Sequence, residues 1–150
     1  MYARVSGQLA STNLDSSQKF YIGGPISVSG YPVGEAGGDE GNEVLAELRH
    51  DFVLPWAGTL MGGVFYQQGW IRNHKDPWDG WQGTNPIIEN NFSLKSTGIS
   101  LTKTLPDAWV IRGLVGWQLG DNPMEDPDTG EDSDGSSADY RAWFQVIRYF

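Results

Sequence analysis

The side chains that could carry metal or acid–base chemistry are scattered along this sequence rather than grouped. His50 and His74 have no ligand spacing between them and the chain has no cysteine, so we assign no metal site. Glu47, Arg49 and Asp51 alternate along one predicted strand, where they form a polar ladder rather than a catalytic cluster. No nucleophile, base and orienting group fall together. The sequence therefore predicts that the chain is not an enzyme and uses no cofactor.

A third group of such side chains is an acidic loop at residues 120–138, which contains no lysine or arginine. Its carboxylates are Asp121, Glu125, Asp126, Asp128, Glu131, Asp132 and Asp134. Oxygen ligands suit Ca²⁺, but the spacing of an EF-hand loop is absent. We interpret the segment as a solvated loop. The net charge of −9 also argues against nucleic acid as a partner.

The most unusual stretch is residues 20–41, FYIGGPISVSGYPVGEAGGDEG, which we call the central loop. Glycine permits positive φ and proline fixes φ, so this composition predicts a shaped loop with no strand of its own. Long loops inside compact domains usually have a function. The alternative interpretation is a solvated hairpin loop with none.

On both sides of the central loop, the sequence alternates between polar and apolar side chains. The period of two predicts strands at residues 2–10, 43–52, 59–69, 91–104, 109–119 and 139–150. Gly98 interrupts its strand and predicts a bulge or kink there. The predicted fold class is all-β, an antiparallel meander of about six strands.

The connections between these strands alternate between long loops and short turns. In a meander this places every long loop at one end, as in outer-membrane barrels, so the fold is interpreted as part of a transmembrane β-barrel. Aromatic residues near the strand ends match the girdle of such barrels. They are Trp56, Trp70, Trp109, Trp117 and Tyr149.

The same alternation assigns the two faces of the sheet. The residues expected to face lipid are Val44, Ala46, Leu48, Leu60, Val64, Ile111, Val115 and Trp117. The opposite face is expected to line a lumen, with Gln67 on its wall and a polar ladder formed by Glu47, Arg49 and Arg112.

Several segments resemble the C-terminal barrel of two-partner secretion transporters, the haemolysin secretion/activation protein family. They are GQLASTNLDSSQKFYIGGPISVSGYPVGEAGGDEG, LAELRHDF, GGVFYQQG and a last strand that ends in Phe150. The resemblance covers nearly the whole chain and implies a barrel of about sixteen strands. Residues 1–150 would then be the C-terminal portion of that barrel. The chain is expected to be a fragment from which the periplasmic domains and the N-terminal strands are absent.

The resemblance also implies a function: a pore in the outer membrane of a Gram-negative bacterium that secretes and activates a large exoprotein without nucleotide. The implied partners are that exoprotein, outer-membrane lipid and the barrel-assembly machinery. The C-terminal signal of such barrels would end in Phe150, with Arg148 on the same face. Two alternatives stay open. One is a barrel-assembly protein of the same superfamily, and the other is a soluble β-sandwich that binds carbohydrate on Trp78 and Trp81.

In this family the central loop folds into the lumen. An arginine in a Val-Arg-Gly-aromatic motif at its tip pairs with an aspartate in a wall motif Phe-any-Asp-any-Gly. The corresponding residues here are Gly23, Gly24, Val28, Ser29, Gly30 and Tyr31 in the loop and Phe65, Gln67 and Gly69 on the wall. Ser29 stands at the arginine position and Gln67 at the aspartate position.

These two replacements fall on the two partners of one contact. We therefore expect Ser29 and Gln67 to lie close together and to form a neutral hydrogen bond, which is weaker than an ion pair. The expected role of the loop and its wall is gating and positioning. The alternative is a diverged copy in which this contact has no function.

Overall fold

The computed structural model describes residues 1–54, 58–82, 89–105 and 108–150, and this part of the chain is all-β apart from one short 3₁₀ helix at Ser16–Gln18. The strands are β1 (Tyr2–Gln8), β2 (Phe20–Ile22), β3 (Ala36–Gly38), β4 (Glu40–Leu54), β5 (Gly58–Arg72), β6 (Asn91–Leu105), β7 (Trp109–Gln118) and β8 (Tyr140–Arg148). Among the described residues, no helix has the length and hydropathy needed to cross a membrane.

The main sheet has six strands in the order β1-β4-β5-β6-β7-β8, and each neighbouring pair is antiparallel. The predicted antiparallel meander is confirmed. Because successive strands reverse direction, β1, β5 and β7 end at the same edge of the sheet at which β4, β6 and β8 begin. Trp56, from the predicted aromatic set, lies outside the described residues.

Two details of the predicted strands are wrong. The central loop does contain strands, because β2 and β3 form a two-stranded sheet with Ile22 opposite Ala36. Gly98 forms no bulge, since it pairs in register with Phe65 on β5 and Gly116 on β7. A Cβ at Gly98 would overlap the Phe65 ring, so the glycine makes room for an aromatic neighbour rather than for a bend.

The main sheet has an inner face, which the central loop covers in part, and an outer face on the other side. Cross-strand register places all the residues expected to face lipid on the outer face. Apolar side chains of this face are exposed or half-buried, with Leu48 at 62%, Val64 at 55% and Phe144 at 74% exposure. The buried core lies instead between the central loop and the inner face, and consists of Ile22, Val28, Tyr31, Ala36, Ile71 and Leu94.

Candidate functional site

The central loop is folded tightly on itself before it meets the sheet. Gly23 and Gly24 have φ values of 107° and 95°, a region that residues with a Cβ rarely adopt. This turn lets the Gly24 amide donate to the Tyr31 carbonyl at 3.1 Å, while the Tyr31 amide donates to the Val28 carbonyl at 3.2 Å. The tip therefore has a defined shape of its own, held by backbone hydrogen bonds.

Val28 and Tyr31 attach this tip to the sheet through apolar contacts. Both side chains are fully buried in the core cluster. Gly69 on β5 leaves the space that Ile22 and Val28 occupy, because a Cβ there would lie 2.7 Å from Ile22 Cδ1 and 3.2 Å from Val28 Cγ2. Burial raises the pKa of Tyr31 to about 12, so its phenol is neutral at physiological pH.

Ser29 and Gln67 are in direct contact at the centre of the site. The Ser29 amide and hydroxyl both donate to Gln67 Oε1, at 2.9 and 2.8 Å. The Ser96 hydroxyl on β6 donates to the same oxygen at 2.9 Å. All three residues are buried. The loop tip and the sheet are therefore joined at this point by neutral hydrogen bonds that share one amide oxygen as acceptor.

Two further contacts at the tip were not predicted from sequence. The Trp143 indole on β8 donates to the Ser29 carbonyl at 2.9 Å. Gly116 on β7 lies against the tip so closely that a Cβ there would be 2.7 Å from Ser29 Oγ and 2.8 Å from the Gly30 nitrogen. Alternation places Trp143 and Gly116 on the inner face, but only the folded loop shows that they touch Ser29 and Gly30.

Glu43 adds a polar contact on the β1 side of the loop. It accepts hydrogen bonds from the Ser27 hydroxyl of the loop and from Ser6 at 2.8 Å, and it pairs with Arg4 at 2.9 Å. Arg4 also donates to the Ile26 carbonyl. The loop is thus bound to β4 and β5 on one side and to β7 and β8 on the other.

The predicted polar ladder lies on the inner face, beyond the loop tip. Arg49 pairs with Glu47 at 2.6 Å and stacks over the Tyr2 ring at 4.1 Å. Ser100 donates to Glu47 at 2.6 Å. Arg112 lies on the same face, but within the described residues it forms no ion pair. Phe65 is buried on this face against Gly98.

The remaining predicted site residues lie apart from the loop. Phe150 is fully exposed at the end of the chain, where Arg148 stacks between it and Trp109, at 4.9 and 5.2 Å from the two ring centroids. The His50 and Phe52 rings form a T-shaped contact with their centroids 4.6 Å apart, whereas His74 lies in the connection between β5 and β6. The described residues contain no group of three or more His, Asp or Glu side chains able to hold a metal ion.

Comparison with known proteins adds a sequence relationship. No protein-family model and no solved structure matches the chain. The chain is 27% identical over 146 residues to the heme/hemopexin transporter protein HuxB of Haemophilus influenzae strain 86-028NP, and 30% identical over 146 residues to another Haemophilus influenzae HuxB. These relatives are transporters by name. The match covers 97% of this chain but 23% of each relative, so the chain spans about a quarter of their length.

Proposed function

We propose that this chain is the C-terminal portion of an outer-membrane barrel that secretes a large partner exoprotein, a two-partner secretion transporter of the haemolysin secretion/activation type. The relatives named as transporters support this proposal, as does the antiparallel meander. The partners proposed with it are the exoprotein, outer-membrane lipid and the barrel-assembly machinery, which would read a C-terminal signal that ends in Phe150.

The observation that carries the proposal is the distribution of side chains between the two faces of the sheet. A soluble protein buries its apolar face, whereas here the buried core lies under the central loop and the outer face exposes Leu48, Val64 and Ile99 in adjacent strands. Lipid is the environment that suits such a face. Trp70, Trp109, Trp117 and Tyr149 are exposed near strand ends, where an interfacial girdle would lie.

The proposed mechanism is gating by the central loop. The loop occupies the inner face, which would be the wall of the pore, and its tip is bound to β5, β6, β7 and β8. An unfolded or extended exoprotein would need this loop to shift before it could pass. A neutral hydrogen bond contributes about 0.5–1.5 kcal/mol, less than a charge-assisted one, so the Ser29–Gln67 contact is compatible with movement.

Among the alternatives, the soluble carbohydrate-binding sandwich is disfavoured by the exposed outer face. Trp78 is exposed, but the rings of Trp78 and Trp81 both form T-shaped contacts with the His74 ring, at centroid distances of 4.7 and 5.3 Å. A barrel-assembly protein of the same superfamily shares the features of the sheet. An assay of exoprotein export distinguishes it from a secretion transporter.

The proposal is tested in the full-length protein that contains this chain, produced in a Gram-negative host together with its exoprotein. Val64→Arg places a charge in the middle of the outer face, where lipid exposure costs about 2–4 kcal/mol. The matched control is Met61→Arg on the inner face of the same strand, where Asp51 lies directly opposite on β4.

We expect Val64→Arg to lower the amount of heat-modifiable barrel in the outer membrane and the exoprotein in the medium, and Met61→Arg to leave both near wild type. Equal assembly of the two variants would contradict the membrane assignment. Normal assembly of the wild type without exoprotein export would contradict the secretion function alone.

A further inference from the structure

Glu35 is a buried carboxylate of the central loop that the Ser29–Gln67 contact does not involve. Only 5% of the residue is exposed, and among the described residues it has no cationic partner. Its hydrogen-bond donors are Asn122 Nδ2 at 2.6 Å, the Ser133 amide at 3.2 Å and the Ser133 hydroxyl. All of these donors belong to the acidic loop, so a carboxylate of one long loop is held by the other.

Asp132 holds the acidic loop to the sheet. It is buried, and it accepts hydrogen bonds from Gln118 Nε2 at the end of β7 at 2.8 Å and from Arg141 Nη2 at the start of β8 at 2.5 Å. Arg141 also pairs with Asp134 at 3.2 Å. A buried, charge-assisted contact of this kind fixes geometry more firmly than a neutral one.

Asn122 connects the two carboxylates. Its Nδ2 lies 2.6 Å from Glu35 Oε1 and 2.7 Å from Asp132 Oδ1, so one amide group donates a hydrogen to each anion. Its Oδ1 accepts from the Met124 amide at 3.0 Å, which sets the orientation of the side chain. An aspartate here would keep the shape, but it would place a third carboxylate between the two.

We propose that Glu35, Asn122, Asp132, Ser133 and Arg141 form a loop clamp that positions the central loop against the sheet. The clamp holds the central loop through hydrogen bonds to the Glu35 carboxylate, whereas the Ser29–Gln67 pair is neutral. The Arg141–Asp132 ion pair fixes the other end of the clamp to the sheet. The acidic loop is therefore a structural partner of the central loop rather than a solvated connection. This proposal rests on the proposed outer-membrane location of the barrel, but it concerns the position of the loop and does not depend on the exoprotein.

The first test measures thiol labelling of Ala36→Cys by a membrane-impermeant maleimide on intact cells. Ala36 is buried next to Glu35, and the chain contributes no other cysteine. In this background Asn122→Asp is expected to raise the labelling rate at least tenfold. The matched control, Asp128→Asn, changes the charge of the same loop at an exposed position outside the clamp and is expected to change the rate less than twofold.

A second substitution distinguishes repulsion between carboxylates from general disruption of the loop structure. Glu35→Gln added to Asn122→Asp supplies an amide that donates to the new carboxylate at position 122, so labelling is expected to fall back by several-fold. An unchanged labelling rate in Asn122→Asp, measured on barrel that is still heat-modifiable, would overturn the proposal.

A pair of introduced cysteines tests the proposal even if Asn122→Asp prevents assembly of the barrel. Glu35→Cys with Ser133→Cys replaces two residues in direct contact and needs no buried charge. A mild oxidant is expected to form the disulfide in intact cells, whereas the pair Glu35→Cys with Asp128→Cys is expected to stay reduced. Cysteine is shorter than glutamate, so a short bifunctional methanethiosulfonate reagent is used beside the oxidant to bridge thiols that do not touch. Absence of both the disulfide and this cross-link in assembled barrel would show that the loops do not meet, and the proposal would be wrong.

Discussion

Gln67 Oε1 accepts three hydrogen bonds at once, from the Ser29 amide, the Ser29 hydroxyl and the Ser96 hydroxyl. The Ser29 amide can only donate, so the oxygen rather than the nitrogen of Gln67 must point toward the loop. This geometry would also accept a carboxylate. What differs from the family pattern is that no guanidinium stands in the loop to balance such a charge.

Introducing an arginine at position 29 and an aspartate at position 67 together is therefore expected to affect the loop differently from introducing either one alone. Ser29→Arg alone buries an unpaired cation, and Gln67→Asp alone buries an unpaired anion, so each is expected to loosen the tip. The double variant is expected to recover part of this loss, with a coupling energy of about 0.5–3 kcal/mol. The measurement is protease accessibility of the central loop on intact cells. Strictly additive effects would show that positions 29 and 67 do not interact in the membrane.

Asp39 ties the base of the central loop to two other connections. Its buried carboxylate accepts from the Leu14 amide at 3.1 Å and from the Lys75 amide at 2.8 Å, and the Lys19 ammonium lies 3.5 Å away. Burial raises the pKa of Asp39, but the two amides and Lys19 outweigh that effect, and the net pKa lies below its ordinary value.

The sign of this shift predicts a loss of protection in acid. The depressed pKa of Asp39 stabilises the folded loop at pH values above about 3.9, the pKa of an unfolded aspartate. This stabilisation is lost as the pH falls through the folded pKa, so the protection factor falls by at most about tenfold per pH unit. Amide hydrogen exchange of residues 10–19, corrected for the intrinsic rate at each pH, measures it. The Asp39→Asn variant should not show this loss of protection in acid, whereas Asp128→Asn should show the same loss as the wild type. A step that persists in Asp39→Asn would assign the effect to another group.

At the scale of elements, β7 acts as the surface on which the loop tip rests. Gly116 allows the backbones to approach, because a Cβ there would lie within 2.8 Å of Ser29 and Gly30 atoms. Gly113 lies on the same strand, where a Cβ would come no closer than 3.9 Å to Trp143 O. Gly113 lies on the outer face, away from the loop, so Gly113→Ala controls for the effect of an added Cβ on the strand itself.

Gly116→Ala is expected to lift the tip from the sheet at a cost of about 1–3 kcal/mol, as overpacking in a buried contact does. Gly113→Ala is expected to be nearly neutral. Protease accessibility of the central loop on intact cells reports the difference, because a lifted tip also loses the contact between Trp143 and the Ser29 carbonyl. Similar results for the two variants would mean that the tip does not rest on β7.

Alternation along the chain predicted the main sheet because each long strand has one apolar and one polar face. It missed β2 and β3, since strands of three residues carry no detectable period. It also ended the third predicted strand too early, because Trp70–Arg72 pairs with Asn91–Ser93 although the segment after Gly69 was interpreted as a loop.

The loop motif was found through its resemblance to a family, and its contact with Gln67 followed from that family's pattern. No sequence pattern of this kind indicated the residues of the loop clamp. Glu35 and Asn122 are 87 positions apart, and Ser29 and Trp143 are 114 apart, so only the folded chain brings them together. In the sequence, Asp132 was one of several similar carboxylates in an acidic loop, and its burial could not be recognised from its neighbours.

For the molecule as a whole, the clamp and the proposed transport function make opposite demands on the central loop. The clamp, the Trp143 contact and the Ser29–Gln67 contact hold the loop on the inner face. In the proposed function, an exoprotein that passes through the pore would need that space. If the function is as proposed, the loop must leave at least part of this position in every transport cycle.

The disulfide between Glu35→Cys and Ser133→Cys tests this requirement in the full-length protein. Oxidation is expected to reduce exoprotein release at least tenfold, because it replaces a hydrogen-bonded clamp with a covalent one, and a reductant should restore release. The pair Glu35→Cys with Asp128→Cys, treated in the same way, should secrete normally. Full secretion by the oxidised clamp pair would show that the loop stays in place during transport and that the exoprotein passes beside it. The central loop would then have no gating role, although its position on the sheet would be as described.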